Sequence, residues 1–221
     1  MKKRLLLIIC LLFTGCASTP VSDWLSTSYN QLENYKKSYL SGKDNVAAVQ
    51  FKAAINEISK SGDLEILSRA YLIRMALQAT ALEDMNEDEY LKMDALQPSL
   101  TNRSFYALLK GEINKVDQEM LPRQYRDFYK SLRKAQDAES LQEAKKIEDP
   151  LSQLIALAVI MRLHQGNEDV LNTALAIASV QGWKKPLMAY LARLQSYYES
   201  NKQADKAAKI QQRVELLRPI K

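Results

Sequence analysis

No cysteine follows residue 16, and the 221-residue chain has only two, Cys10 and Cys16. Everything downstream must fold without a disulfide and offers no thiolate to a metal. Histidine is scarcer still. His164 is the single one, with no HExxH or His-x-His partner, so a zinc site lacks ligands; its place at the end of an apolar run suits a helix terminus, where the dipole favours an imidazolium. The six glycines are dispersed, and none belongs to a phosphate-cradling loop. No stretch alternates apolar and polar residues long enough to argue for a strand. An excess of one charge is missing as well. Taking Lys2, Lys3 and Arg4 from the 31 basic residues leaves 28 against 26 acidic, so the formal charge of +5 falls to +2 beyond the first few residues. No basic stripe with interleaved aromatics appears, and nothing supports a nucleic-acid partner.

What is present begins at the N-terminus. Met1-Lys2-Lys3-Arg4 leads into nine apolar residues, Leu5 to Phe13, and then Thr14-Gly15-Cys16. A basic segment, a short apolar segment and small residues form the layout of a secretory signal peptide, and nine residues fall well short of the ~20 that a spanning helix needs. Phe13-Thr14-Gly15-Cys16 resembles the lipobox of bacterial lipoproteins, departing from it at Phe13, where Leu is usual. The resemblance implies cleavage between Gly15 and Cys16, lipid on the Cys16 sulfur and acylation of its new amine. One acyl chain holds only marginally, at ~0.8 kcal/mol per buried methylene, whereas two or more hold stably. Ala17 stands where enterobacterial lipoproteins carry Asp for inner-membrane retention. The same resemblance therefore implies the outer membrane of a bacterial envelope, facing the periplasm. The organisation expected is a signal peptide over 1–15, a lipidated cysteine and tether over 16–22, and an all-helical domain over 23–221. Six residues of tether reach only ~20 Å, which keeps the domain beside its membrane.

From Asp23 onward, Gly42, Gly62, Gly111, Gly166 and Gly182, with Pro98, Pro122, Pro150, Pro186 and Pro219, fall between or at the starts of runs with helical apolar spacing. The spacing predicts an all-α fold of about eleven helices, near 23–40, 44–60, 63–82, 87–96, 101–110, 122–135, 139–148, 150–165, 168–180, 185–200 and 204–217. Val170, Leu171, Ala174, Leu175, Ile177 and Ala178 make one apolar side, as a helix covering a core should. Leu154 to Met161 reads LIALAVIM, apolar all round, which predicts a central buried helix.

The short connections suit antiparallel pairs, either in a right-handed array or in an irregular bundle. The C-terminal stretch YLARLQSYYESNKQADKAAKIQQRVELLRP resembles a degenerate tetratricopeptide repeat, with Leu191, Leu194 and Tyr198 at the large positions, Ala207 at the small one and Pro219 at the closing proline. Gln195 and Gln211 depart from that pattern. The resemblance implies that the first helix of the pair lines a concave binding face. With Leu191, Leu194 and Tyr198 turned inward, Arg193, Ser196, Glu199 and Ser200 are the partner-binding candidates. Arg193 leads among them, because a guanidinium can hold a carboxylate bidentately.

Chemistry-bearing motifs are otherwise weak. The acidic run from Glu83 to Glu89 imitates a calcium loop, but Glu89 replaces the turn glycine and Ala95 the bidentate glutamate. Asn86 as a helix cap followed by first-turn acids explains it better. Ser131 and Lys134 match a Ser-x-x-Lys pair without the Ser-Asp-Asn or Lys-Thr-Gly that would accompany it. No cofactor is implied. Two functional classes remain: a non-enzymatic, lipid-anchored scaffold or assembly factor for an envelope protein, and an envelope enzyme acting on peptidoglycan through an unsignposted carboxylate pair.

Overall fold

Short polar side chains mark where helices begin. Asp63 accepts the N–H groups of Glu65 and Ile66 at 2.9 and 3.0 Å, Asn167 that of Val170 at 3.0 Å, and Asp149 that of Ser152 at 2.7 Å. Each satisfies donors that a helix start leaves orphaned, and loss of such a cap costs ~1 kcal/mol. The computed structural model describes residues 23–134, 137–164 and 166–218; Cys16, its tether and Pro219 lie outside the described residues. Among these residues there are eleven α-helices and no strand: α1 Asp23–Leu40, α2 Asp44–Ser59, α3 Leu64–Thr80, α4 Asp88–Leu96, α5 Leu100–Lys110, α6 Arg126–Arg133, α7 Asp137–Lys145, α8 Pro150–His164, α9 Glu168–Val180, α10 Lys184–Ser200 and α11 Ala204–Leu217.

The chain is all-α, as the spacing predicts, with two local corrections. The helix expected over 122–135 is shorter, and three 3-10 turns, Ile113–Lys115, Gln118–Met120 and Arg123–Tyr125, thread the chain toward it. Asn86 does not cap α4. Glu87 precedes that helix without a side-chain cap, while Asn86 donates its backbone N–H to Gln78 Oε1 at 3.1 Å. Helix ends are closed by glycine where the backbone turns left-handed. At Gly111, φ is +75°, and the Glu112 and Gly111 N–H groups reach back to the carbonyls of Ala107 and Leu108 at 2.9 and 3.0 Å. This is the Schellman arrangement. A β-carbon there would also meet Leu163 Cδ2 at 3.0 Å.

Helix α8 is the centre. Every residue from Leu154 to Met161 is buried, and the helix packs on α3, α5, α7 and α9. A helix apolar on all sides is stable only when covered on all sides, so its composition dictates its place. Around it, α9, α10 and α11 pack in chain order, burying Leu171, Ala174, Leu191, Leu194, Tyr198 and Ala207. The α1–α2 hairpin builds a second, aromatic cluster from Tyr35, Tyr39, Leu40, Ala47 and Phe51 against Leu77 and Ala81. Contacts from α3 to α8 and from α1 to α10 join helices distant in sequence. A strictly linear repeat array has only neighbour contacts.

Candidate functional site

The second cluster is left incomplete on one side, and the gap is a hollow of about 410 Å³ among α1, α2, α3 and the first turn of α10. Its walls are aromatic. Tyr35 and Phe51 rings lie 4.9 Å apart, Tyr35 and Tyr39 5.9 Å, and Phe51 meets Tyr71 edge-on at 5.7 Å. Tyr35 and Tyr39 are one helical turn apart on α1, which places both rings on one face. Ala47 and Ala48 on α2 keep that wall low enough to leave space.

Arg74 of α3 projects into this setting. Its guanidinium carbon is 5.1 Å from the Phe51 ring centroid and 4.9 Å from that of Tyr71, a cation–π placement worth ~0.5–1 kcal/mol. Its hydrogen bonding is poor. Nη2 reaches the Asn86 carbonyl and side-chain oxygens only at 3.4 and 3.5 Å, and Nε is buried with no partner. A buried donor left unmade costs ~1–3 kcal/mol. Among the described residues no carboxylate pairs with Arg74. Its charge is felt at Tyr35, whose hydroxyl pKa burial pushes up while Arg74 pulls it down.

Lys185, on the same wall, is fully engaged. Its Nζ lies 2.8 Å from Asp44 Oδ1 and 2.8 Å from Glu83 Oε1, and 4.1 Å from the Tyr39 ring centroid. Tyr39 donates its hydroxyl proton to the other Glu83 oxygen. Burial works to lower the Lys185 pKa, but the two carboxylates outweigh it and the net shift is upward. The same Tyr–Glu–Lys grouping recurs twice. Tyr106 and Lys110 donate to Glu87 at 2.9 and 2.6 Å, and Tyr198 and Lys206 donate to Glu168 at 2.8 and 3.2 Å. The Glu83–Glu89 run is thus dispersed: Glu83 goes to Lys185, Glu87 to Lys110 and Glu89 to Lys92. Among the described residues no three His, Cys, Asp or Glu side chains gather as a metal group.

The residues singled out on α10 come together in part. Arg193, Ser196 and Ser200 line a hollow of about 350 Å³ with Tyr197, Asn201, Leu171 and Gly166. Glu199 is not on its wall and accepts the Gln195 amide at 2.9 Å. The serine hydroxyls donate to their own helix, Ser196 to Ala192 and Ser200 to Ser196. Arg193 also borders a neighbouring hollow of about 380 Å³ that includes Glu83, Asp84 and Arg162. His164 closes α8, and its side chain lies outside the described residues. Ser131 is buried, donating to the Phe128 carbonyl at 2.6 Å, and Lys134 pairs with Glu139 at 2.7 Å. The Ser-x-x-Lys pair is therefore turned to other partners.

Carboxylates do converge around a hollow of about 670 Å³ beside α6 and α7, where Asp127, Glu143, Glu148 and Asp149 meet Arg123 and Lys146. Three of the four have local duties: Asp127 pairs with Lys130, Glu143 with Lys146, and Asp149 caps α8. The carboxyl groups whose pKa moves, Glu87, Asp127 and Glu168, are all lowered, chiefly by hydrogen bonds from Lys110, Lys130 and Tyr198 respectively.

Sequence reasoning missed the aromatic hollow because its walls come from residues near 35, 51, 74 and 185. The signals available were the Tyr35–Tyr39 spacing and the Tyr71–Arg74 spacing, each of one helical turn. Comparison with family models, with curated proteins and with solved structures finds no match to this chain.

Proposed function

We propose that the chain is a lipid-anchored envelope lipoprotein that acts as a non-enzymatic scaffold or assembly factor, holding a partner protein beside the outer membrane on its periplasmic face. The observation that carries this reading is the open aromatic hollow with an arginine that no carboxylate among the described residues pairs. Such a surface suits recognition of a group brought by another molecule, whereas acid–base chemistry needs carboxyls poised to exchange protons. Its position fits an anchor at Cys16. The hollow is walled by Tyr35 and Tyr39, twelve or more residues along α1 from Asp23, which is about 18 Å of helix away from the tether. No helix among the described residues is long and apolar enough to cross a membrane, so attachment in this reading rests on lipid at Cys16.

The test is reversible cross-linking of the tagged, lipidated full chain in cells, followed by co-purification. The same envelope protein should be recovered in near-stoichiometric amount with the natural chain and be lost with Cys16→Ser. Release of soluble glycan fragments from isolated peptidoglycan by the purified protein would overturn the reading in favour of the enzyme.

A further inference from the structure

The geometry points to the aromatic hollow as a binding site for an acidic peptide segment of the partner, in which one Asp or Glu carboxylate is presented beside an apolar side chain. This rests on the scaffold reading and deepens it by giving the partner's recognition chemistry.

Charge decides the ligand's sign. Three cations border the hollow, Lys52, Arg74 and Lys185, against one carboxylate, Asp44, which Lys185 holds. Lys185 is committed to Asp44 and Glu83, so an incoming anion would have to displace one of two carboxylates 2.8 Å away. Among the described residues Arg74 has no such competitor. Its guanidinium carbon lies 5.1 and 4.9 Å from the Phe51 and Tyr71 ring centroids, and its present hydrogen bonds to Asn86 are at the long limit. A carboxylate is the group that a guanidinium fork matches in plane and in charge. Lys52, exposed on α2, adds positive potential at the rim. A cationic ligand would meet this excess of positive charge and is disfavoured.

Shape decides the rest. The Tyr35 and Phe51 rings with Ala47 and Ala48 line the same hollow as Arg74 and give it an apolar shelf. A bare small anion would leave that shelf wet. A peptide that carries an aliphatic or aromatic side chain next to its carboxylate covers the shelf and sets the carboxylate against Arg74 in one placement. A volume of about 410 Å³ lies in the range of sites that hold a few side chains.

The test uses the full chain with labelled arginine side chains, following the Arg74 Nε–Hε resonance and the Tyr35 and Phe51 ring signals by NMR. The probes are acetyl-Ala-Leu-Glu-Leu-Ala-amide, the same peptide with Gln for Glu, and sodium acetate. The Glu peptide should move these three signals saturably. The Gln peptide should bind at least about tenfold more weakly, as loss of a charge-assisted hydrogen bond implies. Arg74→Lys, which keeps the charge and the stem, should fold normally by circular dichroism and weaken binding of the Glu peptide. Equal binding of the Glu and Gln peptides overturns the proposal. So do acetate effects matching those of the peptide at equal concentration, which would mark a small-anion site, or peptide-induced shifts confined to residues away from the hollow. If the proposal fails while cross-linking still recovers the partner, the scaffold reading stands with its contact elsewhere; if the natural chain recovers no partner, it is the scaffold reading that fails.

Discussion

The Lys185 ammonium stands 4.1 Å from the centroid of the Tyr39 ring, held there by Asp44 and Glu83 at 2.8 Å each. One side chain from the start of α10 thereby touches the end of α1, the start of α2 and the segment after α3. With its side chain only 17% exposed, Lys185 is desolvated enough for these contacts to count.

The two carboxylates should contribute unequally. Asp44 is 66% exposed and Glu83 40%, and Glu83 also receives the Tyr39 hydroxyl. A double-mutant cycle with Lys185→Gln, read by urea unfolding, should give a coupling of ~1 kcal/mol with Glu83→Gln and under ~0.5 kcal/mol with Asp44→Asn. Equal couplings would contradict this ranking of the two carboxylates.

The buried centre makes a larger prediction. Leu157 of α8 is completely buried, so Leu157→Ala should cost ~2–5 kcal/mol in unfolding free energy. Val180, 82% exposed at the end of α9, is the contrast, and Val180→Ala should stay within ~0.5 kcal/mol. A Leu157 variant as stable as the natural chain would mean that α8 is not the core.

Helix existence and the buried centre were legible because both follow from spacing within a few residues. LIALAVIM leaves no polar face, and Gly111 declares a helix end on its own. The misses are of another kind. The 3-10 turns between Ile113 and Tyr125 have no apolar period to read. Asn86 had the right chemistry for a cap but was drawn to Gln78 and Arg74 of α3. On α10, spacing turned Leu191, Leu194 and Tyr198 inward and Arg193, Ser196 and Ser200 outward, as observed. The Tyr35–Phe51–Arg74 hollow, by contrast, exists only after three helices meet, and no local pattern carries it.

The Tyr106–Glu87–Lys110 grouping predicts a pH response. The Lys110 hydrogen bond, supported by Tyr106 and opposed by burial, holds the Glu87 pKa below its ordinary value of 4.5. The folded state thus prefers the carboxylate. Its contribution is fully present above the unfolded value and is lost as pH falls through the lower folded one. Natural protein and Glu87→Gln should differ by about 1 kcal/mol near neutrality, and the difference should shrink below about pH 4.5. A difference unchanged between about pH 7 and pH 3 would contradict the assignment.

Attachment to the membrane is the claim on which the scaffold reading depends, and the intact mass of the N-terminal peptide from membrane-purified protein tests it. Cleavage before Cys16, with lipid on its sulfur and an acyl group on its amine, gives a peptide that begins at Cys16, carries those added masses and incorporates a clickable fatty acid fed to the cells. Cys16→Ser should abolish the label and leave the chain uncleaved at this site. A mature chain beginning at any other residue, or a serine variant whose N-terminal peptide still takes up label, would contradict the anchor.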